Sequence, residues 1–364
     1  MSSTSHEARS SPRRESRSPQ PAGWWHRANL FLGLVLLGVV IVVARNLGEG
    51  VRFAALLREA RPEMLLIGVA AQVLTYVCSS AIWYRIARRH SHRHLSFSTL
   101  VPLGFAKLFV DHVLPTAGIG GTLVVVRGLT RRGLSRPLAT AAVLIDLVAF
   151  YAGQGLAVAA ALAALLIDGS RSPWIIAAAV TFLVIAVVVP GAIFWVHHWG
   201  RRAVPRFVRK IAVVARFLET LAAAPRRVMR DWVLMLECTL WQLGVIVLDG
   251  VTLGAMLYAV GVRPSLATVV AAHALATAVA SFGLVPAGLG VFEATSIATL
   301  RLLDVPMEAA LAATLLARGL TLWIPLIPGL VLTRRETRHS ASVHGGHAAT
   351  KHPTHVPHPA RHSP

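Results

Sequence analysis

The stretch from Ser281 to Leu330, SFGLVPAGLGVFEATSIATLRLLDVPMEAALAATLLARGLTLWIPLIPGL, restricts the fold more than any other part of the chain. It is apolar enough for a membrane, yet it breaks at Val285-Pro286-Ala287-Gly288-Leu289-Gly290, restarts as a helix at Val291-Phe292-Glu293, and later carries Arg318 among Leu and Ala. Proline removes a backbone donor and glycine leaves the backbone bare. Within lipid such a break is tolerated only where protein or a water-filled cavity covers the freed polar groups. An arginine at mid-membrane depth costs at least about 2.5 kcal/mol. Arg318 is therefore expected to face the bundle interior and an anionic partner, in the chain or in a ligand.

A weaker copy of this arrangement lies earlier, at Leu114-Pro115-Thr116-Ala117-Gly118-Ile119-Gly120-Gly121, followed by a short linker and an apolar helix carrying Asp146. Aligning Ala117-Gly118-Ile119-Gly120 with Ala287-Gly288-Leu289-Gly290 gives an offset of 170 residues, and two residues of slippage place Asp146 opposite Arg318. Broken apolar segments in corresponding positions of two halves are the best sequence pointer to a binding site in transporter-like folds. On that ground Pro115, Gly118, Gly120, Pro286, Gly288, Gly290, Asp146, Glu293 and Arg318 are candidate substrate-binding residues. For Asp146 and Arg318, pairing across the pseudo-twofold competes with a substrate or proton role.

Composition agrees with a membrane setting. Of 364 residues 55% are hydrophobic and 14% charged, a balance that defines an all-α polytopic membrane protein. The 36 Lys and Arg against 16 acids would suggest nucleic acid in a soluble chain. Here the basic residues sit between apolar runs, which is the positive-inside pattern, so no nucleic-acid partner is expected and membrane lipids are. Cys78 and Cys238 both lie in apolar runs, so neither a disulfide framework nor a zinc site is implied.

Residues 1–27 read as a disordered basic cytoplasmic tail without the apolar core of a signal peptide. The transmembrane domain spans 28–333, and 334–364 is a second disordered tail rich in histidine, better read as solvated than as a metal site. Full spans are predicted at Ala28–Ala44, Met64–Tyr84, Leu138–Ile167, Trp174–Val196, Trp232–Val260 and Met307–Thr333. The segment Leu95–Val126, with basic clusters on both sides, is expected to enter and leave on the cytoplasmic face as a re-entrant hairpin. Ser265–Leu300, with nearly neutral flanks, is expected to do the same from outside. Arg201–Arg230 is expected to hold an amphipathic helix on the inner leaflet. This gives six spans and two hairpins in a weak inverted repeat, in a bacterial cytoplasmic membrane, with both termini cytoplasmic; a conventional count gives eight spans.

The apolar runs also hold Lys107, Asp111, Glu237 and Asp249. Lys107 and Asp111 are one helical turn apart, an internal ion pair or a face of the substrate site. Glu237 is near enough to the interface to snorkel. Glu293 follows the break closely enough to favour a helix N-terminus, so a structural role competes with a substrate role. Asp249 is deeper, where pairing competes with a substrate or proton role. No nucleophile motif, metal-ligand spacing or phosphate-cradling Gly-Lys-Ser/Thr sequence occurs, so no cofactor and no catalytic residue is expected.

The residues Pro286-Ala287-Gly288-Leu289-Gly290-Val291-Phe292-Glu293, the downstream Arg318 and the final Pro325-Leu326-Ile327-Pro328-Gly329 resemble the transmembrane-domain family of lysylphosphatidylglycerol synthase/flippases. The resemblance covers most of 28–333. Ala287 replaces a glycine frequent there, and Thr116-Ala117-Gly118 departs from the Gly-Arg-rich version of the first hairpin. The resemblance implies a translocator of an anionic or aminoacylated phospholipid or another lipid-linked molecule. It equally admits a non-transporting membrane partner that presents lipid to a separate glycosyl- or aminoacyl-transferase. The soluble transferase domain of two-part members has no counterpart in these residues, so an enzymatic role is not expected.

Overall fold

The computed structural model describes residues 61–91, 95–113, 119–169, 172–200, 224–281, 288–324 and 328. The expected first span, both tails, Pro115, Gly118, Pro286 and most of the predicted surface helix lie outside them, as does the side chain of Asp111. The described residues form helices α1 (Pro62–His90), α2 (Phe97–Val113), α3 (Ile119–Arg131), α4 (Arg136–Ile167), α5 (Pro173–Trp199), α6 (Arg226–Met229), α7 (Trp232–Ala259), α8 (Leu266–Ala280), α9 (Val291–Leu302) and α10 (Met307–Arg318), with a π-helical segment at Gly319–Trp323. Among them α1, α4, α5 and α7 are long and apolar enough to cross a membrane, and they match four of the predicted spans within a few residues. Their starts follow from local chemistry. Pro62 and Pro173 open helices where a missing N–H costs nothing, and the Asp231 carboxylate caps α7 by accepting from the Leu234 N–H at 3.1 Å.

The two halves repeat element by element. The starts of α1, α2, α3 and α4 precede those of α7, α8, α9 and α10 by 170, 169, 172 and 171 residues, so the spacing read from the two breaks holds throughout. The repeat is inverted. The Arg61 N–H donates to the Ala259 carbonyl at 3.2 Å, Gln72 Nε2 donates to Asp249 Oδ1 at 2.8 Å, and Arg85 meets Glu237 at 2.6 Å, so α1 and α7 run antiparallel along their whole length.

Each half holds a helical hairpin. Arg132, just after α3, donates from Nε to the Thr99 carbonyl near the start of α2 at 3.0 Å, so the first pair opens and closes at one end of the bundle. That end is where α1 finishes, because Ile86, Leu100, Leu103, Leu129 and Leu134 share one core. In the second pair Val269 near the start of α8 and Leu300 near the end of α9 share a core with Leu257 of α7 and Val305, at the opposite end. The arms of 15 and 12 residues reach only about 22 and 18 Å, short of a hydrocarbon layer of roughly 30 Å. The expected final span also differs in detail, for its α-helix ends at Arg318 and passes into the π-helical segment.

Large apolar side chains cover the outside. Val180, Val184, Val187 and Val188 on α5 and Leu236, Leu240, Val247 and Val251 on α7 are all exposed, the reverse of a soluble protein's surface. Inside, Gln154 of α4 is wholly buried and donates from Nε2 to the Ala274 carbonyl of α8 at 2.8 Å, fastening the second hairpin to the neighbouring long helix.

Candidate functional site

The second break is built by two glycines. Gly288 has φ +60°, and a Cβ there would come within 2.7 Å of the Ala280 Cβ at the end of α8, so the turn closes tightly over that helix. Gly290 has φ +80° and serves as the N-cap of α9. Both conformations are costly for residues with a side chain. The turn leads straight into α9, where Glu293 is the third residue.

Glu293 serves two partners at once. Its Oε2 accepts from the Gly290 backbone N–H at 2.7 Å, satisfying a donor at the helix start. Its Oε1 accepts from Arg318 Nε at 2.7 Å. The pair is largely sealed, with side chains 10% and 17% exposed. Thus one carboxylate serves both the helix terminus and the charge pair. The guanidinium also lies over the Phe292 ring at 4.7 Å, and that ring meets the buried His273 edge-on at 6.0 Å, a cation–π contact worth about 0.5–2 kcal/mol. One turn deeper, Ser296 and Thr314 bond through their hydroxyls at 3.1 Å, joining α9 to α10.

This corrects the expected pairing across the pseudo-twofold. The ion pair seen for Arg318 is with Glu293, 25 residues away, rather than with Asp146. Asp146 instead sits within electrostatic reach of Cys238 on α7. Symmetry aligned the two positions in register, but a hairpin folding back brought the acid of its own half closer.

A second polar cluster lies between α1 and α7. Gln72 Nε2 donates to Asp249 Oδ1 at 2.8 Å and to Thr252 Oγ1 at 2.9 Å, while Thr252 is itself wholly buried. Tyr76 neighbours Asp249 and stacks on Phe105 of α2 at 3.9 Å between ring centroids. Arg318 lies within electrostatic reach of both Asp249 and His273.

The remaining candidates lie on α2, α3 and α7. Lys107 is half-buried on α2, Asp111 follows one turn later, and Gly120 opens α3. Glu237 keeps 26% of its side chain exposed. It accepts from Arg85 Nε at 2.9 Å and Nη2 at 2.6 Å, a two-pronged bond fixing α1 to α7. Nearby, Asp231 bonds Arg89 at 2.6 Å and His90 at 3.1 Å. Burial pushes the Asp231 carboxyl up, but the Leu234 N–H, His90 and Arg89 outweigh it and hold it below the ordinary carboxylate value. Charge alone does not mark Gln72, His273 or Gln154. The available signal was a neutral polar side chain isolated in an apolar run, and Gln72, His273 and Gln154 each carry it.

An antiparallel repeat of long apolar helices, each half holding a short hairpin, with a buried arginine on the helix after the second hairpin bonded to a glutamate of that hairpin, defines a polytopic membrane protein with a polar centre. Residues 30–329 match the family described as the lysylphosphatidylglycerol synthase TM region, and the chain belongs to that family. No curated protein matches the chain.

Proposed function

We propose that this protein translocates an anionic or aminoacylated phospholipid, or a related lipid-linked molecule, across a bacterial cytoplasmic membrane, with its arginine-rich end inside. The observation that carries this reading is the buried Arg318–Glu293 pair at the tip of a broken hairpin. In this reading both hairpins are re-entrant, and their tips shape a headgroup cavity while acyl tails stay in lipid. Arg318 receives the phosphate as Glu293 yields to it, and a carboxylate beside the phosphate suits the ammonium of an aminoacylated headgroup. The π-helical segment directly after Arg318 supports the reading, since such interruptions occur often at functional sites and let a helix rearrange locally.

The test is translocation of fluorescent phosphatidylglycerol and lysylphosphatidylglycerol by the purified protein in liposomes, counted per folded molecule. Arg318→Lys keeps the charge but loses the forked donors, and is expected to lower the rate about tenfold or more. Translocation by Arg318→Lys at the wild-type rate would reduce Arg318 to a structural member of the ion pair and move the headgroup site elsewhere.

A further inference from the structure

At the arginine-rich end of the bundle, far from the Arg318 pair, a cavity of about 360 Å³ lies between the last turns of α5, the short helix α6 and the first residue of α7. Its walls are Phe194, His197 and His198 from α5, Arg226 and Met229 from α6 with Arg230 just after it, and Trp232. Each of the first two walls is spaced i, i+3, i+4, so each helix presents one continuous face to the opening. The Phe194 and Trp232 rings close the floor with centroids 5.9 Å apart.

Charge and setting both narrow the occupant. Two arginines and two histidines line the cavity with no acid among the described lining residues. The neighbouring acid, Asp231, is committed to Arg89 and His90 on α1. Arginine forks fit phosphate, and a volume near the lower end of the roughly 300–1,000 Å³ of small-molecule sites suits one headgroup. Trp232, Trp195 and Trp199 are 72%, 50% and 67% exposed around the same end. Exposed tryptophans gathered at the end of apolar spans sit at headgroup level. The apolar lining of Phe194, Met229 and Trp232 would meet the glycerol and upper acyl carbons.

We infer that this cavity is a second lipid site, which holds the phosphate of an anionic phospholipid from the leaflet at the arginine-rich end, through Arg226 and Arg230. It is independent of Arg318 and of whether the protein transports lipid. Basic pockets between helices on the cytoplasmic side are a recurring form of headgroup recognition. The full-length protein in liposomes would be photo-crosslinked with phosphatidylglycerol bearing a headgroup diazirine, and adducts mapped by peptide mass spectrometry. Adducts are expected on the peptide spanning Met229 and Trp232, and to fall about tenfold in Arg226→Gln/Arg230→Gln. Both arginines are exposed, so the fold should survive. Arg226→Lys/Arg230→Lys is expected to keep most of the labelling. Three results would overturn the site: undiminished adducts in the glutamine variant, equal labelling by a phosphatidylcholine probe, or loss of labelling to millimolar inorganic phosphate, which would mark a soluble-anion site. Since the readout is local to α6 and α7, its failure and a failure of the Arg318 translocation test are separable.

Discussion

In the second repeat the hairpin carries Glu293 three residues after Gly290, and the following helix carries Arg318 bonded to it. In the first repeat the position matching Glu293 is Leu123, counted from Gly120, and the position matching Arg318 is Asp146. Leu123 is 46% exposed, an apolar side chain pointing away from the core. The helices after the two hairpins differ as well. The first, α4, runs 32 residues without interruption, whereas the second gives way to π-helical geometry after 12. Inverted symmetry thus fixes where the helices go, while the Arg318–Glu293 pair belongs to one half.

The largest effect should come from sidedness. In a background lacking Cys78 and Cys238, exposed single cysteines at Ser98→Cys, by the mouth of the first hairpin, and Arg263→Cys, by the mouth of the second, are expected to react with an impermeant maleimide from opposite faces. Labelling of both from one face would break the inverted reading in the membrane.

Next in size is the ion pair. Arg318→Ala or Glu293→Ala breaks a buried ion pair and is expected to cost about 3–5 kcal/mol, with the double variant costing little more than either. Asp146→Ala should combine additively with Arg318→Ala, because the two lie in different clusters. Thermal or denaturant unfolding of the purified variants decides it, and coupling of Asp146 to Arg318 would restore the cross-repeat pairing.

The smallest effect contrasts two glycines. Gly288→Ala faces both φ +60° and the Ala280 Cβ at 2.7 Å, so about 1–3 kcal/mol of destabilisation is expected. Gly128 in α3 also lies against a neighbour, but that neighbour is the movable end of the Leu103 side chain. Alanine there gains up to about 1 kcal/mol of helix propensity, so Gly128→Ala is expected to be near neutral. Equal losses would mean that both hairpins are closed with the same rigidity.

The long apolar runs alone determined α1, α4, α5 and α7, since periodicity is irrelevant once a helix is apolar all round and length decides. The Pro/Gly breaks located both hairpins and the repeat offset, because backbone that cannot continue a helix is visible residue by residue. The isolation of Arg318 in an apolar run marked it for burial. What the sequence could not assign was its partner. Glu293 and Asp146 were both carboxylates at admissible positions, and only the fold-back of α9 onto α10 brought one within 2.7 Å. Gln72 with Asp249, Arg85 with Glu237 and Gln154 with the Ala274 carbonyl were likewise undecided, for each joins positions 120 or more residues apart. Local chain chemistry sets where a helix starts and stops; which polar groups meet inside the bundle depends on how helices pack, and that was decided only in three dimensions.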